Sequence, residues 1–449
     1  MMASRRHPAI PVLLAFIGPC LPMSAIGLPM VVHLPHYYAG PIGLPLTAVG
    51  LAFTLIRVLD IGVDPLVGGL MDQTRTRFGR FRVWLVGSAP ILMLAAWMLF
   101  MVRPGASSLY LFAWLGVAYV GFSMGSLSQT AWGAVLSPHY HDRSRIYAYW
   151  QTGNVLGMIL VLTLPPLLSF GWGLGEGAGV QAMGWFIIVL LPLTVAIAVM
   201  RVGEPVPDTP IEAAGLREYF ALLRRPAVGR LVLADLLMGW VPGVTGILYL
   251  FYFDQIKHVP RGEADILLLV FFCFAFLFGP LWSVLAHRIG KHLALAATCL
   301  ALVAGELLVM ATPFDRLPVA LAVMAAAGAS YSGGALLVRA MMADASDEVR
   351  LDTGHDRTGL LYALLTATTK IGYALAGLSF VALDLIGFQR EGGNGPWALF
   401  WLQFLFIGVP SILSVAAALV IWRHPLDARR HGEILKALEA RDLALAEVP

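Results

Sequence analysis

Charge is scarce in this chain. Only 13% of its 449 residues are Asp, Glu, Lys or Arg, about half the share in an average soluble domain. With 59% hydrophobic residues and a mean hydropathy of +0.78, a disordered or coiled-coil chain is excluded and a soluble enzyme is disfavoured. Cysteine is nearly missing as well. Cys20, Cys273 and Cys299 all fall in apolar stretches, with neither metal-ligand spacing nor a disulfide framework. No P-loop, zinc spacing, nucleophile motif or glycine-rich dinucleotide fingerprint is present, so no catalytic residue, metal or cofactor is expected. A net charge of +3 gives no reason to expect nucleic acid as a partner. Asn-x-Ser/Thr sequons are absent.

Apolar sequence is what the chain has in quantity, with 46 Gly and 28 Pro dispersed through it. Membrane helices tolerate both residues better than soluble helices do. A span needs about 20 apolar residues, and twelve stretches qualify: 10–39, 44–71, 83–102, 107–137, 147–170, 180–201, 229–256, 263–287, 292–311, 316–343, 356–385 and 395–423. The first follows Arg5 and Arg6 as a signal peptide would. Its length and its prolines (Pro19, Pro22, Pro29) mark a retained helix instead.

Basic residues give the expected orientation. Of the 30 Lys and Arg, 22 lie in the termini and alternate loops, five in the remaining loops and three inside spans. That bias fits an even number of spans with both termini cytoplasmic. Short loops and missing sequons fit a cell inner membrane of bacterial type. The longest polar connection divides the chain into a six-helix bundle at 1–201, a cytoplasmic connection at 202–228, a second bundle at 229–423 and a tail at 424–449. An echo supports two pseudo-symmetric bundles: Arg77-Phe78-Gly79-Arg80 follows span two and Arg288-Ile289-Gly290-Lys291 follows span eight. The charged tail reads as a solvated helix.

Ionisable residues at bilayer depth cost about 2.5–3.5 kcal/mol each on insertion scales, so each invites a functional hypothesis. Span two carries Arg57, Asp60 and Asp64 within about 60° of one another at helical spacing. Two carboxylates one turn apart repel unless a cation or proton relieves them, which suits the pair to sensing one. Lys370 lies deep in span eleven behind Thr366, Thr368 and Thr369, and Arg339 lies near the end of span ten. Asp235, Asp254 and Glu306 lie toward span ends, where solvation is the simpler reading. Span four brings Ser123, Ser126, Ser128, Gln129, Thr130 and Trp132 together. Such a set suits either a polar organic solute or interhelical packing. His33, His36, Tyr37 and Tyr38 at the end of span one read as an interfacial aromatic belt.

The run Arg57-x-x-Asp60-x-x-x-Asp64-Pro65-x-x-Gly68, with Asp72-x-Thr74-Arg75-x-Arg77-x-Gly79-Arg80 behind it, resembles the signature of the glycoside–pentoside–hexuronide:cation symporters. This is the melibiose-permease-like branch of the major facilitator superfamily. The likeness extends to Asp142-Arg143-x-Arg145, Ala343-Asp344 and Lys370. It implies an all-α integral membrane fold of twelve transmembrane helices in two bundles, working by alternating access. By that resemblance Asp60 and Asp64 take the cation, Lys370 matches the family's lysine of the eleventh helix, and Trp132 stacks a sugar; Lys370 and Arg57 are expected to poise the charge of the acidic pair. Asp72, Arg75, Arg77, Arg80, Asp142, Arg143 and Asp344 form a cytoplasmic gate.

Departures from the pattern shape the expectation. Val63 and Gly125 stand where sodium-using permeases place oxygen donors, and a hard cation needs several oxygens. H+ is therefore favoured over Na+ as the coupling ion. Ser24, Ser128 and Trp150 replace sugar-binding aspartates and an arginine, so the solute pocket is expected from Ser24, Ser128, Gln129, Trp132, Trp150 and Arg339. The expected activity is cation-coupled symport of a sugar-like or anionic small molecule by a monomer in the lipid bilayer. A lysolipid carrier of the same fold is the alternative. A lipid-modifying membrane enzyme, with His139, His141 and Asp142 as its acid–base cluster, belongs to a different class.

Overall fold

A computed structural model of the chain describes residues 9–136, 140–173, 176–204, 216–355, 357–390 and 392–446. Three short helices open it: α1 (Ile10–Ile17), α2 (Cys20–Val31) and α3 (His33–Ala39). Pro19 lies at the first break and Pro29 inside α2, where a missing N–H and a ring clash interrupt the hydrogen-bond ladder. α4 (Leu46–Gln73), α5 (Phe81–Phe100), α6 (Ser108–Val135), α7 (Tyr140–Trp172) and α8 (Glu176–Arg201) follow. The connection then forms a short helix, α9 (Leu216–Leu223).

The second half begins with α10 (Pro226–Gln255), α11 (Arg261–Ile289), α12 (Lys291–Ala311) and α13 (Leu317–Thr353). The eleventh span is made of α14 (Thr358–Ala376) and α15 (Leu378–Leu385). The twelfth is α16 (Pro396–Gln403), a π-helical turn at Phe404–Gly408 and α17 (Val409–Trp422), before the tail helix α18 (Ala428–Ala446). Among the described residues, twelve helical stretches are long and apolar enough to cross a membrane, at the twelve places expected. Large apolar side chains such as Leu66, Leu109 and Leu419 are well exposed. A water-soluble surface avoids them, whereas lipid does not. This is a multi-pass membrane protein.

The chain packs into two compact units. The first holds Met1–Pro210, Gly246–Leu269 and Gly377–Trp401, and the second holds Ile211–Thr245, Val270–Ala376 and Leu402–Pro449. In the first, α6 packs on α4 and α5, α5 on α8, and α2 on α7. In the second, α12 packs on α13 and α17.

Two expectations about the second unit need correction. α13 does not stop at 343 but continues to Thr353, carrying Asp344 and Asp347 on a helix that outruns the apolar stretch. The tail is not a solvated helix either. α18 lies on α13, with Ile434 and Leu438 buried in one core with Val228, Leu231, Met342 and Val349. Burying such side chains out of water is worth about 1.5–3 kcal/mol each. Arg441 adds hydrogen bonds to the carbonyls of Arg350 (3.1 Å) and Leu351 (3.3 Å). The apolar i, i+4 pair on an otherwise charged helix was the signal for docking.

Candidate functional site

Among the described residues Asp60 is the most enclosed carboxylate of α4, 4% exposed. It shares a buried stripe with Ile56, Val67 and Met71, positions that recur at helical spacing and face α6. Ser123 Oγ of α6 donates a 3.0 Å hydrogen bond to Asp60 Oδ1. One turn back on both helices, the Arg57 guanidinium sits 5.5 Å from the Tyr119 ring centroid, within cation–π range. Asp64, one turn further along α4, is half-buried. Ser123 was visible in the sequence as one polar residue among several. Its pairing with Asp60, 63 positions away, was not.

The surroundings on α6 are crowded. A Cβ at Gly125 would lie 2.8 Å from Met23 Cε and 3.0 Å from Ser88 Oγ. The Ser88 hydroxyl donates to its own helix at Leu85 O, 2.7 Å away. Where an oxygen-bearing side chain could stand, a thioether and a committed hydroxyl fill the space.

At the arginine-rich end of the first unit, a carboxylate that sequence reading missed organises the Arg77–Arg82 turn. Glu204 accepts from the backbone N–H of Arg80 (2.6 Å), Phe81 (2.8 Å) and Arg82 (3.1 Å). These belong to the first turn of α5, whose N–H groups have no helical partner and whose dipole favours an anion. Gly79 has φ +110°, and a Cβ there would overlap the Glu204 carboxylate. Gly290 in the repeated motif has φ +90° and precedes α12 in the same way. The motif glycine is required by backbone sign and, in the first copy, by this carboxylate. Arg80 Nε donates to Met71 O at 3.0 Å, while Arg75 and Arg77 are exposed. The side chains of Asp72, Asp142 and Arg143 lie outside the described residues, as do His139 and the side chain of His141.

In the second unit Lys291 Nζ grips Asp344 Oδ1 and Oδ2 at 2.6 and 2.7 Å. His431 of α18 stands 2.9 Å from Asp347 and 3.6 Å from Asp344. The expected gate residue Asp344 is thus brought together with the tail.

The expected solute-binding residues are spread more widely. Ser128 is fully buried and donates to Phe81 O at 2.8 Å. Gln129 donates to Phe16 O (2.9 Å) and to Cys20 Sγ (3.2 Å). Trp132 is fully enclosed, edge-on to Phe16, under the Arg82 guanidinium and donating to Gly203 O at 3.1 Å. The structure places these three in the packing of α6 against α1, α2 and α5 and against the segment after α8. The half-buried Ser24 donates to Leu21 O at 3.1 Å. Trp150 is half-buried, and among the described residues its buried Nε1 has no hydrogen-bond partner.

Lys370 is half-buried on α14. The two threonines before it both donate to Asp235 of α10, at 2.7 Å (Thr368) and 2.9 Å (Thr369), and Arg339 acts on that carboxylate electrostatically. Asp235 is therefore held in a polar cluster of the second unit, not solvated at a span end. Glu306 likewise accepts from Ser411, 2.8 Å away.

The opposite end of the first unit corrects the reading of an interfacial belt. His33, His36, Tyr37 and Tyr38 are between 0% and 6% exposed. His33 Nε2 lies 3.1 Å from Asp265 Oδ1, His36 packs on Phe251 with ring centroids 4.4 Å apart, and Tyr38 donates to Leu99 O at 3.1 Å. Arg390 clamps the carbonyls of Ala39 and Leu44, and Thr47 bonds Asp384.

With this geometry in place, similarity to known proteins can be weighed. A family model described as MFS/sugar transport protein matches residues 15–428. An uncharacterized symporter, YnaJ, of Bacillus subtilis (strain 168) is 24% identical over 435 residues, covering 91% of this chain and 90% of that protein. A glucuronide carrier protein homolog of Escherichia coli (strain K12) is 24% identical over 423 residues, covering 90% of each. Among solved structures, the nucleoside transporter NupG superimposes with a TM-score of 0.66 at 13% identity, covering 92% of this chain and 100% of that one. The last is a likeness of fold.

Proposed function

Because the chain belongs to the MFS/sugar transport protein family, a family of transporters and not of enzymes, we propose that it is a proton-coupled symporter of a sugar-like or anionic organic solute, working by alternating access. Asp60 carries this reading. It is a buried carboxylate inside an apolar span that accepts from a serine hydroxyl, and on the facing helix a methionine thioether fills the space a side chain at Gly125 would need. A proton needs one oxygen, whereas a metal cation needs several. Asp64 shares the charge, and Arg57 and Lys370 set the local balance. Neutralising the pair by proton binding removes a buried-charge penalty that differs between conformations, and only such a difference can drive a transition.

Anionic character in the solute is supported by Lys370 and Arg339, and by the name of the glucuronide carrier homolog. Trp150 supplies an indole N–H for a solute oxygen. The arginine-rich end is cytoplasmic, the membrane is the cell inner membrane, and one chain suffices. Asp72, Arg75, Arg77, Arg80, Asp142, Arg143 and Asp344 form the cytoplasmic gate, and Lys291 is added to it through Asp344.

Uptake into proteoliposomes tests this reading, with pH and sodium gradients imposed separately on a panel of glucuronides, pentosides, galactosides and lysophospholipids. A pH gradient alone is expected to drive accumulation, and Asp60→Asn to abolish it while leaving solute exchange measurable. Accumulation driven only by sodium, or unchanged in Asp60→Asn, overturns the coupling role. Competition by lysophospholipids in place of glycosides identifies a lipid carrier.

A further inference from the structure

The chain builds the same helix start twice and supplies an anion of its own to one of them. In the first unit the Arg77–Arg80 turn leads into α5, whose opening N–H groups donate to the Glu204 carboxylate. Glu204 is the third residue after α8, and the Arg82 guanidinium holds the carbonyl of Val202 beside it. In the second unit the Arg288–Lys291 turn leads into α12 through a glycine of the same backbone sign. Arg423, His424 and Pro425 follow α17 as Val202, Gly203 and Glu204 follow α8. The Arg230 guanidinium holds the carbonyl of Arg423, as Arg82 holds that of Val202. Proline therefore stands in the place of the glutamate. Gly290, the N-cap of α12, offers its first turn no side chain either, so the N–H groups and positive dipole end of that helix meet no carboxylate there.

His424 makes the need for an acceptor specific. It is 7% exposed, and among the described residues neither of its buried ring nitrogens has a hydrogen-bond partner. In either neutral tautomer one nitrogen carries a hydrogen, so the ring holds a buried donor that is costly to leave unmatched. Helix register sets this ring beside the start of α12. Ala296 and Cys299 of α12 pack with Ala417 and Ala418 of α17, and Ala294 and Leu295 share a core with Ile421. One turn further along this antiparallel pair, the first turn of α12 draws level with His424.

The charges that act on the ring are both basic: His292 of that first turn and Arg230 of α10. Each is half-buried, and Arg423 beside them is exposed. The nearby carboxylates are committed elsewhere. Lys291 grips Asp344 at 2.6 and 2.7 Å, and Asp427 accepts from the N–H of Arg430 at 2.8 Å. Donors thus come from three helices that do not lie in one plane. A carboxylate presents two coplanar oxygens to them, whereas a phosphate presents oxygens in several directions and more charge.

We propose that the second unit takes a phosphate group at the junction of α10, α12 and α17, held by His424, His292, Arg230 and the first turn of α12, in the role that the Glu204 carboxylate has in the first unit. Entry requires Arg230 to swing from the Arg423 carbonyl onto the anion, which uncovers the His424 ring. Two sources carry such a group, the headgroup of an anionic phospholipid and free phosphate. Trp422, 57% exposed at the end of α17, is the kind of residue that sits at headgroup level, and basic pockets between membrane helices receive anionic headgroups. The inference is independent of the transported solute and of the coupling ion.

Binding to the full chain in dodecylmaltoside, exchanged free of phospholipid, separates the sources. Equilibrium dialysis against radiolabelled inorganic phosphate reads the free anion. Native mass spectrometry reads retained lipid, with phosphatidylglycerol and phosphatidylcholine compared at equal concentration. The expected result is saturable binding of one phosphate per chain, or of one phosphatidylglycerol held about tenfold or more tighter than phosphatidylcholine. Whichever binds identifies the source.

Pro425→Glu gives this helix start the carboxylate that the first one has, and it should weaken the binding by about tenfold or more. His424→Leu keeps the apolar burial, removes the ring donor and should act in the same direction. The two substitutions are made separately, so one that unfolds the chain leaves the other to read the site. If phosphate does not bind and phosphatidylcholine is retained as well as phosphatidylglycerol, the proposal is overturned with no variant needed. Binding that Pro425→Glu and His424→Leu leave unchanged lies elsewhere on the chain and overturns it equally.

Discussion

Replacing Glu204 offers a sharp test of how the arginine-rich turn is built. In the native chain its carboxylate accepts three backbone N–H groups at 2.6–3.1 Å, and a side chain on Gly79 would collide with it. Glu204→Ala leaves those donors to water and removes an anion from a helix N-terminus. Hydrogen bonds to charged groups contribute about 1.5–3 kcal/mol each when buried. Partial solvation at this end reduces the total to about 2–4 kcal/mol, of which the dipole supplies about 0.3–1 kcal/mol. Gly79→Ala alone pays both for its positive φ and for displacing the carboxylate, so the two substitutions cannot be independent. A double-mutant cycle on the purified protein, read as reversible unfolding in mixed detergent, should show a coupling energy of about 1–2 kcal/mol. Gly79→Ala should be milder in the Glu204→Ala background. Additive effects would refute the idea that the glycine is there to seat the carboxylate.

Two further outcomes follow. Truncation before Ala428, or His431→Ala with Ile434→Ala, should destabilise the second unit by about 2–5 kcal/mol through lost apolar burial. Limited proteolysis of the α13 end should speed up accordingly, and unaltered proteolysis would show that the tail is only laid on the surface. His424 is 7% exposed, and neither ring nitrogen has a hydrogen-bond partner among the described residues. Burial, with His292 and Arg230 nearby, pushes its pKa down to about 4. The unfolded chain then binds a proton that the native chain refuses, so stability should fall as pH drops from about 6.5 toward 4 and stay level above it. His424→Leu should flatten that slope in thermal melts, and an unchanged slope would assign it to other groups.

Much of the fold was legible because membrane spans announce themselves by length. Of the first span's prolines only Pro19 falls at a break between helices, and the repeated Arg-x-Gly-Arg/Lys turns hold two glycines of positive φ. What hydropathy cannot read is which apolar face meets protein and which meets lipid, since both are equally apolar partners. Trp132 looked like a stacking platform, yet the structure encloses it between Phe16 and Arg82. His33 and Tyr38 looked interfacial because they end a span, yet both are buried, His33 against a residue more than 200 positions away. Glu204 gave no local signal, because its partners are backbone N–H groups some 120 residues earlier. Asp60 stood out in the sequence as a candidate because a charge inside an apolar span is costly enough to need a reason.

Proton flux is the direct measure of coupling at Asp60. Proteoliposomes containing a pH-sensitive dye, with no sodium and no imposed gradient, should acidify inside when solute is added to the outside. The signal should scale with solute taken up and vanish in Asp60→Asn. Solute entry without any accompanying acidification would contradict proton symport outright.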